Sequence, residues 1–185
     1  MRINRLTTSL TELAESVDDL LEALSALQQL SELPAHKLTE TTLSKELLHI
    51  LYQCCQASSC TVFTWTDTQP ETTDTSQLKN LWAIDFNGIS HPREATRVEN
   101  HFINNTIKTN KAEHCSDCTA IAERLKSKLW EKSIISVPVF IKDQLYGVIT
   151  ISHSEREHFN PWSFNLMLTI SKFFGYQLSA CRLRC

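Results

Sequence analysis

The first 33 residues repeat with a step of three and four. Ile3, Leu10, Val17 and Leu24 fall at one heptad position, and Leu6, Leu13, Leu20 and Leu27 at the other. Such a seam predicts one long helix over 1–33 with an apolar stripe,. Uniform Leu in one register, with β-branched residues at half of the other, leans towards a parallel two-stranded coil. Leu6, Leu10, Leu13, Val17, Leu20, Leu24 and Leu27 are then its interface,. The competing reading is a helix packed on its own domain, which Leu21 and Leu30 favour by widening the stripe. Pro34 closes the helix,.

The period then changes repeatedly. A second helix is expected from about Thr41 to Gln56, with Leu43, Leu47, Ile50, Leu51 and Cys54 on one face and Thr39 or Thr41 as cap,. "CTVFTWT" (60–66) alternates and reads as a strand, and 67–77 is a polar breaker,. "LKNLWAIDFNGI" (78–89) reads as a second strand ending near Asn87-Gly88,. Residues 101–111 and 119–132 carry helical spacing: Phe102, Ile103 and Ile107 in the first, Ile121, Leu125, Leu129 and Trp130 in the second,. "SIISVPVFIKDQLYGVITISHS" predicts a buried antiparallel hairpin turning at Lys142-Asp143-Gln144, with Pro138 at an edge or bulge,. A long helix follows, with Asn160 as N-cap and Pro161 in its first turn,.

Composition narrows the class. The chain has 185 residues, 42% of them hydrophobic, and a net charge of -3, which suits one domain with an appendage,. No basic field draws it to nucleic acid, and no apolar run is long enough to span a membrane. The first 21 residues hold acids where an export signal needs an apolar stretch, so the expected compartment is the cytoplasm,. Seven cysteines in a reducing compartment are core filler, ligands or redox groups rather than staples,.

The stretch from "SIISVPVFIKDQLYGVITISHS" into "EREHFNPWSFNLMLTISKFFGYQLS" resembles a GAF domain. It does so through the apolar strand with Val137-Pro138, the turn and Tyr146-Gly147-Val148, then Phe159 ahead of a helix. "HFINNTIKTNKAEHCSDC" is similar to the family segment in which a helix ends and a strand or loop returns over the ligand pocket. The resemblance covers about Leu38 to Arg182. It implies an α+β fold, an antiparallel sheet flanked by helices, over residues 38–183, behind an N-terminal coiled-coil-type helix. It also implies a non-enzymatic sensory or regulatory domain that dimerises and binds a small effector. With no output module within these 185 residues, its output is expected on a partner protein or in another part of a longer chain. The cofactor is left unnamed.

Residue by residue, Trp65, Trp82, Asp85, Phe102, Trp130 and His153 are candidate pocket residues, with core packing as the alternative for the aromatics,. Bilin attachment in the family uses Cys followed by His, whereas this chain has His114-Cys115. The free methionine sulfoxide reductases are the enzymatic alternative, and their Cys-Gly motif and Cys-Asp ahead of the hairpin are missing. A purely structural dimerisation module is the third reading. "EHCSDC" (113–118) sets His114, Cys115 and Cys118 together as a metal or redox candidate. A zinc site needs a fourth ligand, with Cys60 or His153 as options. A redox pair is slowed by Glu113 and Asp117, whose charges raise thiol pKa values. The plain alternative is a buried helix-start Cys118 and an incidental loop thiol.

Overall fold

The computed structural model describes residues 2–65, 78–85, 87–88, 90–128 and 130–182. The polar segment 67–77, Leu129 and Cys185, and the side chains of Ile3, Leu6 and Trp65, lie outside the described residues. Helix α1 (Arg2–Glu32) leads through a short 3-10 turn at Ala35–Lys37 into α2 (Glu40–Cys54). Strands β1 (Ser59–Trp65), β2 (Leu78–Ile84) and β3 (Ser90–His91) come next, followed by α3 (Arg97–Thr109), β4 (Glu113–Cys115) and α4 (Thr119–Arg124). The hairpin β5 (Ser133–Ile141) and β6 (Gln144–His153) precedes α5 (Pro161–Arg182). The strands form one antiparallel sheet in the order β3-β2-β1-β6-β5-β4.

Strand alternation gives the sheet two unlike faces. Cys60, Val62, Ile84, Ile135, Val137, Ile149 and Ile151 point one way and join α1, α2 and α5 in the main apolar core,. Ser59, Thr61, Ser136, Thr150 and Ser152 point the other way and are equally buried. Helix α3 covers that second face, with Phe63, Ile103, Ile107 and Val148 as an apolar patch at one end.

The boundaries have local causes. Thr39 caps α2, its hydroxyl accepting from Thr42 N,. Helix α3 begins four residues earlier than the apolar spacing suggests, because Thr96 and Glu99 form a reciprocal capping box,. The helix expected over 119–132 stops at Arg124. Lys126 adopts a left-handed φ of 50°, Lys126 N donates to Glu123 O, and Ser127 N donates to Ala122 O. That is a Schellman ending with lysine where glycine is usual. The strand expected over 78–89 stops at Ile84; Gly88 N donates to Asp85 O in a turn that leads to β3. Asp85 therefore follows the strand instead of standing within it.

Strand β4 pairs with Ile134–Ser136 alone, so Pro138 lies beyond it on an open edge, where no N–H is required,. Gly175 lets α5 press onto the sheet: a Cβ there would collide with the Phe140 carbonyl oxygen, which is backbone and cannot move aside. Gly175→Ala should lower stability by about 1–3 kcal/mol despite the better helix propensity of alanine. A lowered urea midpoint checks this; an unchanged midpoint would mean that α5 is not so tightly seated.

Candidate functional site

The polar face under α3 is organised by Arg93. Its Nε donates to Asp85 Oδ1 at 3.1 Å and its Nη2 to Ser59 Oγ at 3.0 Å. Glu99 takes two further bonds, from Nη1 at 2.7 Å and Nη2 at 2.6 Å, and Glu94 O takes the fifth donor at 2.9 Å. Glu99 is 1% exposed, so this bidentate pair is removed from water,. Burial works against the Arg93 charge, but the bonds and charges of Glu99 and Asp85 raise its pKa above the ordinary arginine value. His91 Nε2 lies 3.3 Å from the other oxygen of Asp85, and Ser59 Oγ donates to Asp85 Oδ1 at 3.0 Å.

Deeper along the same face runs a set of hydroxyls. Thr106 of α3 donates to Ser136 Oγ at 3.0 Å, and Thr150 donates to the same oxygen at 3.4 Å. Among the described residues four side chains keep a buried polar atom without a partner, Trp82 at Nε1, Asn104 at Oδ1, Glu131 and Ser152. Ser152 Oγ and both carboxylate oxygens of Glu131 have no hydrogen-bond partner. Burial raises the Glu131 pKa, outweighing the nearby Thr96 hydroxyl and the Arg93 charge. The Thr96 hydroxyl lies close enough to favour the ionised form without reaching either oxygen in hydrogen-bonding geometry.

The five aromatic and polar candidates whose side chains are described do not converge. Asp85 belongs to the Arg93 cluster. Phe102 packs with Val98, Cys118, Ala122 and Ile134 between α3, α4 and β5. Trp82 lies on the opposite face, with Lys45 Nζ of α2 3.7 Å from its ring centroid. His153 shares that opposite face with Ile149 and Ile151, its ring 3.4 Å from His158 and nearly parallel to it. Trp130 is half-buried in the link between α4 and β5. Arg93, Glu99 and Glu131 were missed by sequence reasoning. The Thr96-to-Glu99 spacing was a legible capping signal, but nothing local marks Arg93 or Glu131 as buried.

"EHCSDC" is half strand and half turn. Because Glu113–Cys115 is β4, the pleat sends His114 and Cys115 to opposite faces. His114 stacks on Phe164 of α5 at 5.7 Å, while Cys115 packs towards Phe102 and Cys118,. The three side chains thus do not form one ligand set. Among the described residues, His153, Glu155 and His158 are the group whose ligand atoms lie within 4.8 Å of one another. Parallel rings share no in-plane point, and His153 Nδ1 already accepts from Glu155 N, so a metal there requires one ring to turn.

Cys115 and Cys118 do meet. The Cys118 thiol, fully buried at the N-cap of α4, hydrogen-bonds to Cys115, and this bond lowers the Cys115 pKa to about 7 against burial. Glu113 and Asp117 push upwards, as their charges require, yet they are outweighed. The same bond raises Cys118, with burial adding to it. Cys55 shows the ordinary fate of a core thiol, pushed by burial up to about 12.

The model of the GAF domain family matches residues 39–178. The chain belongs to the GAF domain family. Solved structures agree on the fold. A GAF sensor protein from Burkholderia vietnamiensis is 12% identical, with a TM-score of 0.65 over 90% of this chain and 94% of that one. The phycocyanobilin-bound GAF domain of a cyanobacterial phytochrome is 12% identical, with a TM-score of 0.65 over 88% and 96%. A free methionine-R-sulfoxide reductase from Neisseria meningitidis, in complex with its substrate, is also 12% identical with a TM-score of 0.65, over 91% and 94%. No curated protein matches the chain. The family is generally one of sensory, ligand-binding domains, and this GAF fold also carries enzymes. No helix among the described residues is long and apolar enough to cross a membrane.

Two outcomes follow from the geometry of this GAF domain. Arg93→Met strands Glu99 and Asp85 without their cation and should cost about 3–5 kcal/mol, read from chemical unfolding. Alkylation of Cys115 by iodoacetamide should rise with a midpoint near pH 7, and Cys118→Ala should move that midpoint upwards because the thiolate loses its donor,. Mass mapping of the modified peptide checks both; an unmoved midpoint would remove Cys118 from the account.

Proposed function

We propose that the chain is a non-enzymatic sensory domain that takes a small effector on the polar sheet face under α3 and works as a dimer through α1. One observation carries the effector reading: the hydroxyl and carboxylate groups left unmatched on a fully buried face. An unpaired buried polar atom costs about 1–3 kcal/mol, so a face that keeps Ser152 and Glu131 in that state is suited to a guest that supplies partners,.

The dimer reading rests on α1. Ala23, Ala26 and Leu30 fix the helix to its own domain, and Gln177 of α5 donates to Leu30 O at 3.2 Å. Leu10, Leu13, Val17, Leu20 and Leu24 remain 47–65% exposed. At roughly 100° per residue the two sets lie about 120° apart around the helix. The heptad stripe is therefore distinct from the packing face, with Leu27 on the border, half-buried against the core. A run of exposed leucines at heptad spacing, continuous with a folded domain, fits a second copy of the same helix.

A redox input is the second reading, favoured by the Cys118-to-Cys115 hydrogen bond. A Cys115 thiolate can take the terminal oxygen of a hydroperoxide, releasing the alcohol and becoming a sulfenic acid. Attack by the Cys118 sulfur then forms the disulfide, and the sulfenic oxygen leaves as water with the Cys118 proton. Glu157 N donates to Ser116 O at 2.7 Å and Arg156 Nε sits 3.4 Å from Asp117, so a change in this turn reaches the loop after β6.

Leu13→Asp with Leu20→Asp should yield folded monomers in sedimentation, whereas an unchanged mass defeats the α1 dimer. Turnover of free methionine sulfoxide above about 1 per second with a thiol reductant would place the chain among the enzymes instead.

A further inference from the structure

Glu131 sits just ahead of β5, where the N-terminus of α3, the start of α4 and the end of β6 converge. Cys118 N donates to Lys132 O, and Lys132 N donates to His153 O, so the backbone around Glu131 is held from both sides. The residue is 0% exposed and neither carboxylate oxygen is bonded. Its near neighbours of charge are Arg93 and Glu99, with the Cys118 thiol also within electrostatic reach.

Arg93 looks like the natural partner, but its donors are spent. A guanidinium has five N–H groups. Here they go to Asp85, Ser59, Glu94 O and the two oxygens of Glu99. The Thr96 hydroxyl accepts from Glu99 N and keeps its own hydrogen, but it does not reach either Glu131 oxygen in hydrogen-bonding geometry,. Within this cluster Asp85, Glu99 and Glu131 are three acids to one strong base. The remaining demand is thus for positive charge that brings its own N–H donors. Ser152 offers a further acceptor: it is paired in register with Ser59, on the same face, and its hydroxyl is free. A hard divalent ion fits poorly, since it wants six or more oxygens and the other carboxylates are committed to Arg93.

We propose that Glu131 is the anchor for the ammonium group of a small organic amine, with Ser152 as a neighbouring acceptor. This rests on the effector reading above and names the chemical class of that effector. The amine takes up the two orphaned oxygens, and its charge offsets that of Glu131, which leaves two cations to the three acids of the cluster. Burial raises the Glu131 pKa, and an ammonium group on its oxygens draws it back down,.

The test uses the full chain and ethylammonium chloride as probe, against sodium chloride and magnesium chloride at equal ionic strength. In the wild type, ethylammonium should raise the melting temperature saturably. It should also lower the pH midpoint at which the carbon-13 carboxyl resonance of Glu131 titrates, with sodium doing neither. Glu131→Gln keeps the shape and removes the charge, and should weaken ethylammonium binding about tenfold or more. Should that variant fail to fold, the carboxyl resonance of the wild type still decides. A melting-temperature rise with ethylammonium retained in full in Glu131→Gln, or a carboxyl signal that answers to magnesium and not to ethylammonium, overturns the proposal. Neutral or anionic compounds that bind wild type and Glu131→Gln alike would leave the effector reading standing and sink the amine assignment. If ethylammonium and a panel of small neutral, anionic and cationic compounds all leave the resonance and the melting temperature unmoved, both readings fail.

Discussion

The two-pronged bond between Arg93 and Glu99 is the constraint around which the α3 side of this GAF domain is arranged. Taking both charges out of water is costly, and the geometry offsets that cost by using every donor of the guanidinium,. Glu99 simultaneously closes the capping box of α3, while Asp85 and Ser59 tie the same arginine to β2 and β1. One side chain thereby fixes where α3 starts and how it lies over the sheet. The free acceptors beside it are a result of that arrangement: a saturated Arg93 cannot also serve Glu131.

The two faces of the sheet divide the labour. The α1, α2 and α5 face is apolar and closes tightly, with Gly175 permitting the helix-to-strand approach. The α3 face tolerates serine and threonine because they bond one another across α3, β5 and β6. Stability resides mainly in the first face, which leaves the second able to carry polar groups without unfolding the domain.

The sheet, the hairpin and the long helices were legible in the sequence because hydrophobic period is a strong signal when an element is long. Thr39, Asn160 and Pro161 behave as their chemistry predicts, with Asn160 Oδ1 accepting from Ser163 N. Short elements were less legible. β3 and β4 have two and three residues, too few to establish alternation. Lys126 hides a helix end because its left-handed conformation is imposed by the chain rather than advertised by glycine. The candidate site was the least legible part. Whether Asp85 anchors or solvates, and whether Glu131 is buried, depends on partners far away in sequence. His114 and Cys115 show the reverse error: neighbours in the chain, they are parted by the pleat.

The shortness of β3 and β4 has a consequence of its own. They are the two outermost of the described strands; β3 pairs with only Ala83 and Ile84 of β2, and β4 with only Ile134–Ser136 of β5, so each covers a small part of its neighbour. Beyond β4, the exposed margin of β5 contains Pro138, which cannot extend a ladder,. A stray extended peptide, or the same sheet in another copy, finds scant template for strand addition along that margin. Fibrillar growth is discouraged at that border, the kind of place where antiparallel sheets are most vulnerable to it.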